Sequence, residues 1–313
     1  MNLKEHVLKN YSKRERRKFW FAYLLIAFPL IQFAIFYVYV NINSFTLAFQ
    51  HNETGKFTMN NFKWVFDGFF DKHGTLRTEL GRSIITWSVG MFITFPMSVL
   101  FSYALYKKIP GYTAFRVLLY LPGMIGSVVI IMLYSFLMAN NGPIVEILLK
   151  MGVNLPRKLL QMGFLNYSKT AFATILFYSV WTGVGGNTVV LTGALIRIPD
   201  EVLEAGKLDG VGFFREFWSI AIPMIYPTLN TLMIFSLAGI FTADAGTFLF
   251  RQDGTGVSTI GYRIFWIVYQ ISQGNSAAYG EPAALGMVVS AITIPIVLVF
   301  RHLLEKHLEA VGY

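Results

Sequence analysis

Gly206-Lys207 is the nearest approach in this chain to a phosphate-binding loop, but Glu201 stands where the leading glycine of G-x-x-x-x-G-K-[ST] is required. No P-loop is therefore present. Gly183-Val184-Gly185-Gly186 lies inside an apolar run instead of after a soluble strand, which excludes a dinucleotide fingerprint. The five histidines are scattered without zinc spacing, and the absence of cysteine removes disulfides, thiolate metal sites and cysteine nucleophiles. What remains is polar chemistry set in apolar surroundings. Ser127, Ser179, Trp181, Asn187, Thr242 and Asp244 fall within or at the ends of long apolar runs. A serine hydroxyl there either bonds to its own helix or faces a polar path, and the Asn187 amide either glues two helices or meets cavity water. Asp244 either enters the path or sits at the outer interface.

A second polar segment, residues 198–223, joins two apolar runs and is too structured for a simple turn. Pro199 suits a first helical position, Asp200 and Glu201 complement the positive end of a helix dipole, and Gly210 supplies a left-handed residue to stop the helix. A second helix is predicted from near Phe213 to just before Pro223, presenting Phe213, Phe214, Phe217 and Trp218. That is more aromatic surface than a solvated hairpin leaves bare. Ala205 and Gly206 are small enough to admit another protein's backbone, so the hairpin reads as a docking element.

The elements that carry these residues follow from composition. Hydrophobic residues make up 55% of the 313, only 14% are charged, and mean hydropathy is +0.53, so lipid is the expected solvent. Six runs, 19–40, 83–106, 115–138, 170–196, 224–241 and 283–300, are long enough to span a bilayer. They are continuous instead of alternating, which predicts an all-α bundle and not a barrel. Pro29, Pro96, Pro122, Gly126, Gly183, Gly185, Gly186 and Pro295 predict kinks and close packing within it. The first run follows a basic stretch but is too long for a signal peptide and lacks a small-residue cleavage pattern, so it is read as a retained span.

The net charge of +9 comes from Lys and Arg at the ends of apolar runs, with no aromatic-interleaved stripe for nucleic acid. Their density favours the side holding residues 1–18, 107–116, 197–223 and 301–313, which predicts cytoplasmic termini. Residues 1–18 form a basic tail and 19–313 one membrane domain, with loops 41–82 and 139–169 outside and a short helix near 144–151.

Glu204-Ala205-Gly206, Asp209-Gly210, Phe217, Ile220 and Pro223 together resemble the EAA loop of ABC importer permeases, in the carbohydrate-uptake group of the MalF, LacF and UgpA type. The likeness departs from the usual pattern at Gly206, where alanine is typical, and at Val211-Gly212. It extends from about Phe19 to the C-terminus, through Trp181, Gly193-Ala194-Leu195 before Ile198-Pro199, and Tyr279 to Gly286. The resemblance implies a MetI-like type I importer fold with six transmembrane helices in a bacterial inner or plasma membrane. It implies that Glu204, Ala205, Gly206, Asp209, Gly210, Phe213 and Phe217 couple the chain to an ATPase subunit. Implied partners are a second homologous permease subunit, two ATPase subunits that bind the ATP and magnesium, and an extracytoplasmic solute-binding protein docking partly on Phe248 to Tyr279. Ser127, Ser179, Trp181, Asn187, Thr242 and Asp244 match places where such subunits contact sugar or line the cavity. No cofactor or catalytic residue is implied for this chain itself. The rival reading is an ion-coupled secondary transporter, which needs buried ionisable groups in the spans. Asp244 is the one candidate.

Overall fold

The computed structural model describes residues 13–51, 54–71, 74–244, 246–274 and 279–310, so the basic tail lies outside the described residues up to position 12. Helices account for the architecture, and the described residues hold no strand beyond an isolated bridge between Gln50 and Phe57. Helix α1 runs over Lys13–Phe33, widens at Ala34–Tyr39 and resumes over Val40–Ala48. After α2 (Asn60–Phe70), α3 runs through Thr75–Val89, a widened turn at Gly90–Thr94 and Phe95–Tyr106. Then come α4 (Tyr112–Met124), α5 (Ser127–Leu137), α6 (Pro143–Lys150), α7 (Arg157–Asn166), α8 (Ser168–Leu195) and α9 (Asp200–Leu208). Helix α10 joins Phe213–Glu216, a widened turn at Phe217–Ala221 and Ile222–Ala238. The chain closes with α11 (Thr247–Phe250), α12 (Ile260–Ser272) and α13 (Gly280–Ala310).

Among the described residues, α1, α3, α8, α10 and α13 are each long and apolar enough to cross a bilayer unaided. The expected third span, 115–138, is not one straight helix: α4 and α5 are long and apolar enough only together, meet at a bend of 113°, and make a sixth span if the bent pair counts as one. Pro122 withholds one backbone bond from the last turn of α4, and Ile125 and Gly126 are extended at ψ 141° and 135°. Two other boundaries also move. Much of the predicted loop 41–82 is helical, because α1 continues to Ala48 and α3 already begins at Thr75. Polar side chains such as Asn41 and Glu79 end an apolar run without ending a helix, and 32 residues reach about 48 Å, beyond a hydrocarbon core of about 30 Å.

The second hairpin helix does not stop before Pro223 but continues through it as α10. The widened turn closes with the Ile222 N–H donating to the Phe217 carbonyl, just ahead of a residue that has no N–H to give. In α3 the same device precedes Pro96, with the Phe95 N–H donating to the Gly90 carbonyl. Proline at this offset keeps a long helix continuous where a sequence reading ends it.

Close packing of α8 depends on its glycines. A Cβ on Gly185 would stand 1.9 Å from the Leu119 carbonyl oxygen of α4, and one on Gly183 3.0 Å from the Thr94 Cγ2 of α3. Two apolar clusters then bracket the bundle. One gathers Val99, Tyr103, Leu191, Leu195, Leu203 and Phe217 at the hairpin end. The other gathers Ala48, Val65, Leu76, Ile240, Ile260 and Leu285 at the opposite end.

Candidate translocation cavity and coupling hairpin

The hairpin is built from its own capping chemistry. Helix α9 ends in a Schellman motif: the Val211 N–H donates to the Gly206 carbonyl and the Gly210 N–H to that of Lys207, with Gly210 left-handed at φ 71°. Leu203 and Gly206 face inward, and a Cβ on Gly206 would approach Ile220 Cδ1 to 2.7 Å. The small residue thus serves the chain's own contact between α9 and α10. Because the neighbour is the far end of a flexible side chain, Gly206→Ala should shift the thermal midpoint of the detergent-solubilised protein by less than about 1 kcal/mol equivalent, helix propensity offsetting the contact. Gly206→Leu should cost about 1–3 kcal/mol in the same assay by forcing the helices apart.

Glu204, Ala205, Asp209 and Gly210 lie on the exposed side of the hairpin. Phe217, expected on that surface, is 6% exposed and packs its ring 4.9 Å from Tyr103. The aromatic and aliphatic surface left bare is instead Leu208 at 89% and Phe214 at 71%, with Trp218 also exposed and Phe213 partly so. Two polar ties fix the start of α10 to the end of α3. The Tyr103 hydroxyl donates to the Phe213 carbonyl at 3.3 Å, and the Lys107 ammonium pairs with the buried Glu216 carboxylate.

Between the two apolar clusters the helices part around a cavity of ≈ 380 Å³. Helix α3 contributes Thr86, Trp87, Gly90, Thr94 and Phe95. Helix α8 contributes Ser179, Gly183 and Asn187, and α10 contributes Leu232, Phe235 and Ser236, with Gly239, Ala243 and Asp244 just beyond it. Of the sequence-predicted path residues, Ser179, Asn187 and Asp244 are therefore brought together. The Asn187 side-chain amide makes no hydrogen bond among the described residues and lines the cavity, which fits a cavity amide and not helix glue. The Ser179 hydroxyl donates to the Leu176 carbonyl at 2.7 Å, so it both bonds back onto its own helix and lines the space. Asp244 accepts from the Thr247 N–H through both carboxylate oxygens, at 3.3 and 3.2 Å.

Three predicted path residues lie elsewhere. Ser127 is exposed at the α4–α5 bend, Trp181 packs edge-on to Tyr178 in a separate apolar cluster, and Thr242 sits beside Gly261, whose absent Cβ would meet the Thr242 carbonyl at 2.6 Å. The missed lining residues carry a signal nonetheless. Thr86-Gly90-Thr94 and Ser179-Gly183-Asn187 each repeat small or polar types every fourth residue, which puts them on one helix face.

A further cluster, unforeseen from sequence, ties α3 to the loop before α12. Glu79 is 1% exposed and accepts from Arg263 Nε at 3.0 Å through both oxygens, with the Arg263 Nη2 closing on the same carboxylate. The Ser258 hydroxyl donates to Glu79 at 3.0 Å and the Ile260 N–H to the Ser83 hydroxyl at 2.9 Å. The hydrogen bond to Glu79 holds the Arg263 guanidinium above its ordinary pKa, and burial pushes the neighbouring Tyr262 phenol up to about 12.

A lipid-length helical bundle with a polar interior space and a rigidly attached hairpin defines a multi-pass transport subunit. The chain belongs to the family of binding-protein-dependent transport system inner membrane components, whose model matches residues 96–309. It is 26% identical over 285 residues to the multiple sugar-binding transport system permease protein MsmF of Streptococcus mutans serotype c (strain ATCC 700610 / UA159), covering 90% of each chain. It is 25% identical over 297 residues to the sn-glycerol-3-phosphate transport system permease protein UgpA of Shigella dysenteriae serotype 1 (strain Sd197), covering 93% of this chain and 96% of that one. In structure it is similar to a chain of a bacterial ABC transporter involved in the import of the acidic polysaccharide alginate, with TM-score 0.72, 20% identity, and 94% and 98% of the two chains covered. The fold is accordingly the MetI-like importer permease fold.

Proposed function

We propose that this chain forms one half of the translocation path of an ATP-driven, binding-protein-dependent importer of sugars or oligosaccharides, and that it is moved by partner ATPase subunits through the 198–223 hairpin. The observation that carries the reading is the continuity of α10, which starts in the hairpin at Phe213 and lines the cavity from Leu232 to Ser236. Helix α3 is tied to that start by Lys107–Glu216 and lines the cavity through its widened turn. A displacement of the hairpin therefore reaches two cavity walls at once, through elements that move as rigid rods.

In this reading the hairpin end is cytoplasmic and both termini lie on that side. ATP and magnesium belong to two partner ATPases, since this chain carries no P-loop and supplies no catalytic group. A second permease of similar build completes the cavity, and a solute-binding protein loads it from the opposite face, against the surface around α12. Sugar specificity fits the cavity because hydroxyl-rich solutes are held by neutral donors and aromatic faces, here Asn187, Thr86, Trp87 and Phe235. The MsmF relative, a permease of a sugar-binding transport system, supports the same cargo class. The relatives give ion coupling no support, and of the two acidic groups in question Asp244 is held by the Thr247 N–H and Glu79 by Arg263 and Ser258.

Leu208→Asp with Phe214→Asp tests the docking. Both side chains are exposed, so the fold should persist, while co-purification of the ATPase subunit in mild detergent should fall at least tenfold. Full retention of the ATPase, or sugar uptake by this chain alone in liposomes driven by an ion gradient, would refute the reading.

A further inference from the structure

The cavity's charge is one-sided. Among the described residues Asp244 is the only ionisable side chain that lines it, and no Lys, Arg or His does. Among the described residues Arg263 pairs with Glu79, Arg251 with Asp253 while its Nη1 is left without a partner, and Arg82 reaches the Ser258 carbonyl. The remaining polar lining is neutral. It includes the Asn187 amide, without a partner among the described residues, and Trp87, whose buried indole N–H has none.

Membership of the family does not set the charge of the cargo. The UgpA relative is named for a phosphate ester, and the alginate transporter imports an acidic polysaccharide.

We propose that this subunit's half of the cavity selects against anionic saccharides in favour of neutral or amine-bearing ones, with Asp244 as the specificity-determining residue. The inference rests on the sugar-importer reading and adds the charge of the sugar to it. A uronate or phosphate within roughly 8 Å of Asp244, at an effective dielectric constant of about 20, is disfavoured on the order of thirty-fold. Neutral hydroxyls meet no such penalty. They gain the carboxylate as an acceptor and Trp87 as a stacking face. An amine gains a counter-ion.

The test uses the assembled transporter in detergent, without its binding protein, so that the upstream filter plays no part. A neutral glucose disaccharide and the corresponding glucose–glucuronate disaccharide are titrated by calorimetry, on the native complex and on Asp244→Asn. Asparagine keeps one oxygen to accept from the Thr247 N–H, so the turn after α10 retains its cap while the charge is lost. The native complex should bind the neutral sugar at least tenfold more tightly, Asp244→Asn should bring the two within about threefold, and Asp244→Lys should reverse the order. Equal binding of both sugars by the native complex, or discrimination unchanged in Asp244→Asn, overturns the inference and leaves the importer reading standing. Failure of both sugars to bind, together with absence of ATP-dependent uptake once the binding protein is added, overturns both.

Discussion

Arg263→Ala should destabilise the purified protein by about 3–5 kcal/mol, a fall in thermal midpoint on the order of 5–10 °C, because it leaves Glu79 charged and enclosed with the Ser258 hydroxyl as its remaining side-chain partner. The reciprocal change should cost less. Glu79→Gln removes the buried charge itself, keeps an oxygen for Ser258, and releases an arginine whose side chain is 27% exposed and so can turn to water. The double variant Glu79→Gln with Arg263→Met should lie above Arg263→Ala alone, since no uncompensated charge remains. Thermal unfolding of the four proteins in one detergent checks the order, and a Glu79→Gln protein weaker than Arg263→Ala would show that the network is not held by its buried carboxylate. Loss of the pair should also free the 258–260 segment, which the same cluster holds to α3 through Ser83. Amide hydrogen exchange at Ile260 would then rise in step with the thermal loss.

Three glycines on one helix should respond in a fixed order to substitution by alanine. Gly185 comes first. Its Cβ would enter the Leu119 carbonyl at 1.9 Å, and backbone cannot rotate aside, so α4 must move away from α8. A loss of about 3 kcal/mol or more follows, at the upper end of overpacking. Gly183→Ala meets the Thr94 methyl at 3.0 Å and should cost about 1 kcal/mol as that side chain yields. Gly186→Ala meets nothing within 4 Å and should be neutral or slightly stabilising, as helix propensity predicts. Monodisperse yield and thermal midpoint across the three variants measure this. A Gly185→Ala protein as stable as Gly186→Ala would mean that α4 and α8 do not cross so closely.

The bent pair α4–α5 shows where reading by hydropathy stops. Residues 115–138 form one apolar run, and apolarity reports affinity for lipid, not direction, so Pro122 and Gly126 signal a kink without fixing 113°. Phe217 shows the same limit at the hairpin. Its type marks it for burial, but whether a partner or Tyr103 covers it depends on the rotation of α10, which the widened turn at Phe217–Ala221 sets. Asn187 marks the opposite case. An amide deep in an apolar run had to meet either a helix or a cavity, and packing chose between them.

Composition and run length alone determined an all-helical, multi-pass chain, because every backbone group in lipid must be satisfied within its own helix. Proline, glycine and capping residues likewise determined the hairpin's first helix and its stop at Gly210, since these are properties of neighbours in sequence. Which polar groups share one space was decided only by tertiary structure. Glu79 meets Arg263 across 184 positions of chain, and Ser179 comes to line the same cavity as Asp244 because α8 packs beside α10. Side-chain periodicity gives each helix a polar face but not the angle at which two faces meet, and that angle is set by glycine contacts and backbone turns that exist only after the helices have packed.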